Sequence, residues 1–154
     1  MDDRGTDVEA SIQAVEAELG TLFASVRDLR RRSAAGVHPG LSPAGYRVLL
    51  LLAKHGPLRA SAIAELLEVD RSAVSRALPA LEALGLIERQ PDEEDGRAHL
   101  VALTPPGARR MAEVLDDQRA TLRRSFRPWS PEDIDHLAQL LGQFNAMASE
   151  TYRP

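Results

Sequence analysis

Val8, Ile12, Val15, Leu19, Leu22 with Phe23, Val26 and Leu29 recur at steps of mostly four and three residues. Such spacing lays one continuous apolar stripe along a long helix. Residues 1–7 ahead of it are polar and aperiodic and read as a frayed tail. Ser33 to Leu41 holds two glycines and a proline, the composition of a linker. Ser42-Pro43 then supplies an N-cap and a proline at the first helical position, opening a helix to about His55. Its run Val48 to Ala53 is apolar nearly all round, so this helix is expected at the centre of the domain, and Gly56-Pro57 stops it.

Two shorter helices follow. Ser61 to Leu67 points Ile63, Leu66 and Leu67 inward, Glu68-Val69 makes a turn, and Asp70 is placed to cap a helix from Arg71 to Leu84. That second helix turns Val74, Ala77, Leu78, Leu81 and Leu84 to one side and ends at Gly85, while Pro79 inside it is expected to bend the axis or loosen its last turns. Leu86 to Gln90 and His99 to Leu103 read as two strands joined by the acidic stretch Pro91 to Arg97. Thr104-Pro105 opens a helix to about Phe126 carrying Ala108, Met111, Ala112, Leu115 and Leu122 on one side. Ser130-Pro131-Glu132-Asp133 opens the last one, with an aspartate where a capping box usually has glutamate, and Ile134, Leu137, Leu141, Phe144 and Ala148 form its stripe.

The expected fold is therefore mainly α with a small β-hairpin wing, a winged helix-turn-helix flanked by N- and C-terminal dimerisation helices. Its divisions are a tail at 1–7, an N-terminal helix and linker at 8–40, the winged region at 41–104 and the C-terminal helices at 105–154. The flanking stripes exceed what a winged helix of roughly 65 residues needs to cover itself, which points to a two-fold partner. A monomeric bundle beside the wing is the competing arrangement.

The order of these elements suits DNA, because a helix fits the major groove and its N-terminal side chains meet base edges there. Opposite Val74, Leu78 and Leu81 stand Arg71, Ser72, Ser75 and Arg76, two guanidiniums and two hydroxyls with no carboxylate among them. Arginine can take guanine bidentately or clamp a phosphate, and serine bonds either. Ser61 adds a hydroxyl at the start of the first short helix, and Arg59 just before it is a further phosphate candidate. A plain solvated helix face is the alternative for each.

Asp70-Arg71-Ser72-Ala73-Val74-Ser75-Arg76, Leu81-Glu82, Gly85-Leu86-Ile87-Glu88-Arg89, Asp95-Gly96-Arg97-Ala98 and Leu103-Thr104-Pro105-Pro106-Gly107 together resemble the multiple antibiotic resistance regulator (MarR) family, over about Leu41 to Gly107. The resemblance implies a homodimeric DNA-binding transcription regulator, usually a repressor, often released by small aromatic or anionic ligands. It also implies a wing-tip Asp-x-Arg whose arginine enters the minor groove, here Asp95 and Arg97. A nearby carboxylate can orient such a guanidinium, and a narrow minor groove attracts it. Asp92, Glu93 and Glu94 are read as acids that keep the loop soluble.

Charge complicates this picture. Leu58 to Leu103 carries five arginines against nine acids, a balance of −4 that equals the formal net charge of the whole chain. Binding must then depend on where charges point, with modest nonspecific affinity and steep weakening by salt. Ligand-lining candidates are Phe23, Tyr46 and Met111, each also readable as plain core. Arg27, Arg30, Arg31 and Arg32 are assigned to dipole complementarity and solvation at the end of the first helix, with auxiliary phosphate contact second.

The absence of cysteine excludes disulfides, thiolate sensing and cysteine-based zinc sites. The histidines at 38, 55, 99 and 136 lack a metal-ligand spacing, so no metal or cofactor is expected. No hydrolase elbow, zinc-protease motif, phosphate-binding loop or dinucleotide fingerprint occurs, which argues against an enzyme. No apolar run approaches the ~20 residues of a membrane span and the start resembles no secretory signal, so a cytoplasmic location is expected. The rival to DNA binding is a winged helix used as a protein-interaction module through its acidic wing.

Overall fold

A computed structural model of the chain describes residues 3–92, 95 and 98–151. Its elements run α1 (Asp3–Val37), α2 (Pro43–His55), β1 (Leu58–Arg59), α3 (Ala60–Leu67), α4 (Arg71–Ala83), β2 (Ile87–Pro91), β3 (His99–Leu103), α5 (Pro105–Ser125) and α6 (Pro131–Thr151). They group into two compact units, one up to Val114 and one from Leu115 onward.

α1 is longer than its stripe suggests. Residues 3–7, expected as tail, and 33–37, expected as linker, are helical. At the C-terminal end the reason is packing: Ser33, Ala34 and Val37 are buried, and Gly36 lies against the Val114 side chain. Tertiary contact there outweighs the low helix propensity of glycine. The bend into α2 is closed by Gly40 N–H donating to His38 Nδ1 (3.0 Å) and Leu41 N–H to the His38 carbonyl (2.9 Å). Arg27 to Arg32 consequently stand before the last turn of α1, which holds no basic residue, and the helix-dipole role falls away.

α2 is the central helix. Ser42 Oγ accepts from Gly45 N–H at 3.0 Å to cap it, and Tyr46, Val48, Leu49 and Leu52 are buried as it packs on α1, α3, α4 and β3. Ile63 from α3, Val74, Leu78 and Leu81 from α4, Leu86 and Ile87, Val101 and Ala102, and Met111 from α5 complete the core. The sheet is antiparallel in the order β1-β3-β2, with Leu58 opposite Val101, Ile87 opposite Leu103 and Pro91 opposite His99. β1 was not anticipated, because two residues carry no periodicity and its pairing with β3 is purely long-range.

α4 stays helical through Pro79 to Ala83. Pro79 lies on the exposed side, where water can take the backbone bond that proline cannot make. Asp70 occupies the N-cap position, yet its side chain makes no capping bond. Thr104 does more than a cap: its hydroxyl donates to the Gly85 carbonyl (2.6 Å) and accepts from Gly107 N–H (3.1 Å), joining the end of α4 to the start of α5.

In the second unit none of the residues from 115 to 147 is buried. Its turn is fixed by an edge-to-face pair of Phe126 and Trp129, centroids 5.5 Å apart, and by Ser130 Oγ, which accepts from Asp133 N–H at 3.1 Å and donates to the Asp133 carboxylate. Leu122, Leu140, Leu141, Phe144 and Met147 are exposed, as are Val8, Ile12, Val15, Leu22 and Leu29 on α1 of the first unit. Among the described residues no helix is long and apolar enough to cross a membrane.

Candidate nucleic-acid interface

α3, the turn at Glu68 and α4 form the helix-turn-helix. The turn requires a left-handed residue, and Glu68 adopts it at φ 54° while its N–H closes onto the Ala64 and Glu65 carbonyls. Arg47 from α2 donates to the Leu67 carbonyl at 3.2 Å and so supports the C-terminal end of α3. α4 leaves this turn with its two faces sorted. Val74, Leu78 and Leu81 are each 2% exposed, whereas Arg71, Ser72, Ser75 and Arg76 are all exposed. Burial of three branched side chains fixes the rotation of the helix, and that rotation presents the guanidiniums and hydroxyls to solvent.

Among the described residues neither Arg71 nor Arg76 takes part in an ion pair. Arg76 also edges a cavity of about 310 Å³ between α4 and the start of α2, floored by Leu41, Gly45, Ala77 and Leu81. Ser61 is exposed in the first turn of α3. These five side chains are therefore open to solvent on the two helices of the helix-turn-helix.

Arg59 behaves differently. Its Nε and a terminal nitrogen both reach Asp92 Oδ2 at 2.6 Å, and Asp95 Oδ2 lies 3.9 Å from the same guanidinium. Asp92, read from sequence as a solvating loop acid, is 7% exposed and is a structural carboxylate. Its partner stands 33 residues away, so no local signal could have marked it. The reading of Asp92 as a solubiliser is corrected here, while Glu93, Glu94 and Arg97 lie outside the described residues. Asp95 is exposed and is the acid nearer the hairpin tip.

The ligand candidates are not alike. Tyr46 and Met111 are each 1% exposed and belong to the core, whereas Phe23 is exposed on α1. Among the described residues no group of three His, Asp or Glu side chains is arranged to hold a metal.

A family model described as MarR family matches residues 40–98. The HTH-type transcriptional repressor MdtR of Bacillus subtilis is 36% identical over 112 residues, covering 73% of this chain and 72% of the relative. YxaD of the same organism, an uncharacterized HTH-type transcriptional regulator, is 33% identical over 105 residues, 68% of this chain and 73% of its own length. Among solved structures, a MarR family protein from Bacillus stearothermophilus superposes with a TM-score of 0.78 at 20% identity, covering 92% of this chain and 97% of that one. Streptococcus pneumoniae FabT in complex with DNA does so with a TM-score of 0.78 at 20% identity, covering 91% and 99%. The order of elements, the sorted faces of α4 and these matches have one joint consequence: the chain is a winged-helix transcriptional regulator belonging to the MarR family.

Proposed function

We propose that this regulator is a cytoplasmic homodimer that represses transcription from a pseudo-palindromic operator, with α4 of each copy in the major groove. Arg71, Ser72, Ser75 and Arg76 read or clamp the duplex, Ser61 and the exposed N–H groups of α3 contact phosphate, and Arg97 enters the minor groove beside Asp95. The observation that carries this reading is the sorting of α4, whose Arg/Ser face is open to solvent while Val74, Leu78 and Leu81 are sealed. The structure of FabT, a protein of the same fold, in complex with DNA supports DNA as the partner. The naming of MdtR as a repressor supports the direction of control.

Two copies are needed because one recognition helix spans too few base pairs for selectivity, and paired modules sit about one DNA turn apart. The open apolar stripes of α1 and α6 supply a surface for a second copy, since residues 115–147 bury none of their own number. A small aromatic or anionic effector would release the operator by changing the separation of the two α4 helices. Binding at Tyr46 or Met111 would require core packing to yield, because both are sealed.

Selection of bound sequences from a random duplex pool tests the proposal. Recovery of an inverted repeat with half-sites about 34 Å apart is expected. Lack of any enriched sequence, with a folded dimer in hand, would overturn it. The acid excess between Leu58 and Leu103 favours a second reading, a protein-docking winged helix, and that reading gains if Arg76→Ala leaves duplex binding unchanged.

A further inference from the structure

Among the described residues three of the six ion pairs, Arg31 with Asp28, Arg110 with Glu113 and Arg119 with Asp116, are surface pairs one helical turn apart, and these contribute little. The pair of Arg59 and Asp92 is of another kind. It joins the edge strand β1 to the residue just after β2, reaching across β3, and its carboxylate is 8% exposed. Two guanidinium nitrogens converge on one oxygen at 2.6 Å. The same turn is tied by its own backbone, with Asp92 N–H to the Ala98 carbonyl (3.2 Å), Asp95 N–H to Asp92 (3.3 Å) and Ala98 N–H to Asp95 (2.8 Å).

Electrostatics alone argues against an acid at this place. A carboxylate on a wing that approaches a polyanion opposes binding, so Asp92 needs a benefit that outweighs repulsion. The base of the hairpin is held by Ile87, Val101 and Ala102 in the core and by β1 pairing with β3 at Leu58 and Arg59, whereas the end of the ladder at Pro91 and His99 lies beyond those contacts. Arg59 immediately precedes α3, so a bond from Arg59 to Asp92 links the hairpin directly to the first helix of the helix-turn-helix.

We propose that Arg59 and Asp92 form a strap that fixes the β2–β3 hairpin against the start of α3, so that both are positioning residues for duplex recognition. This rests on the DNA-binding reading above and adds to it a device that sets the wing at the angle the recognition helix demands. Arg59 thereby acts through Asp92, with no phosphate contact of its own.

The test compares Arg59→Gln, Asp92→Asn and the double variant, with Arg76→Ala as reference, by anisotropy titration of the duplex recovered from selection across a salt series. Each single variant is expected to bind about tenfold more weakly, and the double variant no more weakly than either single, because both remove one interaction. The salt slope of Arg59→Gln should match the parent, whereas loss of a phosphate contact would lower it by about one. Melting temperatures, taken alongside, separate misfolding from misplacement. Amide exchange at Asp92, Asp95 and Ala98, measured without DNA, should rise in either single variant and no further in the double.

Tighter binding by Asp92→Asn would overturn the strap and leave the DNA reading intact. Additive losses, a reduced salt slope for Arg59→Gln, or unchanged amide exchange would do the same. If the parent binds no duplex, the DNA reading fails, and the exchange data alone decide whether the strap exists.

Discussion

Gly107→Ala sets two physical effects of opposite sign against each other. Gly107 lies in the first turn of α5, where alanine would be favoured over glycine by at most about 1 kcal/mol. Yet a Cβ built there falls 2.2 Å from the Leu86 carbonyl oxygen, and 3.0 and 3.1 Å from the Leu86 carbonyl carbon and Cα. All three are backbone atoms, so no rotamer change relieves the contact, and α5 must move away from the end of α4. Overpacking of this kind costs about 1–3 kcal/mol. The same shift strains the Thr104 N–H bond to Leu86 (3.1 Å) and the Thr104 hydroxyl bond to Gly85 (2.6 Å), each worth about 1 kcal/mol. The net expectation is a loss of about 2–3 kcal/mol, or about 5–10 °C in melting temperature for a chain of this size. Urea melts at fixed protein concentration should show a lower midpoint with an unchanged slope. Gly20→Ala, with nothing within 4 Å of the added methyl, is the matched control and should raise stability by up to about 1 kcal/mol. If Gly107→Ala proves as stable as the parent, the close approach of α5 to Leu86 is wrong.

Arg71→Ala and Arg76→Ala are each expected to weaken duplex binding by about 1–3 kcal/mol with no change in melting temperature, and a variant that loses a phosphate contact should also show a salt slope lower by about one. Leu122→Asp combined with Leu140→Asp, placed on exposed apolar positions of the second unit, should yield monomers in sedimentation velocity without loss of helical circular dichroism; a dimer that persists would refute the role given to these stripes. Glu68→Gly should raise stability by about 1 kcal/mol in denaturant melts, because glycine takes φ 54° without the strain a side chain meets there.

What the sequence disclosed and what it hid divide along local and long-range physics. The sorted faces of α4 were legible because 3.6-residue periodicity is written in Val74, Leu78 and Leu81 themselves. Ser42 and Thr104 were legible as caps because the serine or threonine and the following proline stand side by side, and both make their capping bonds. The end of α1 was not, since Gly36 signals a break and only the distant Val114 explains why the helix continues. β1 exists by pairing with β3 some forty residues downstream, and the burial of Asp92 depends on Arg59 in that same strand. Asp70 shows the converse error, a residue of the right type at the right position whose side chain makes no capping bond.

The acid excess of the reading head, which looked like an argument against nucleic acid, becomes intelligible once the pairs are assigned. Glu82 is held by Arg89 at 2.6 Å and Asp92 by Arg59 at the same distance, so two of the five arginines between Leu58 and Leu103 are engaged by acids of the scaffold. Arg71 and Arg76 stand apart from those pairs, on the exposed face of α4. A head built this way attracts a polyanion weakly from a distance, because its net field is unfavourable, and binds only where its few uncommitted guanidiniums meet matching groups. The repulsion is common to random duplex and to a matched site and cancels from the difference between them, so discrimination rests on the directed contacts alone. Net charge in a regulator of this design therefore speaks to its overall affinity for nucleic acid, and leaves selectivity to the orientation of a few side chains.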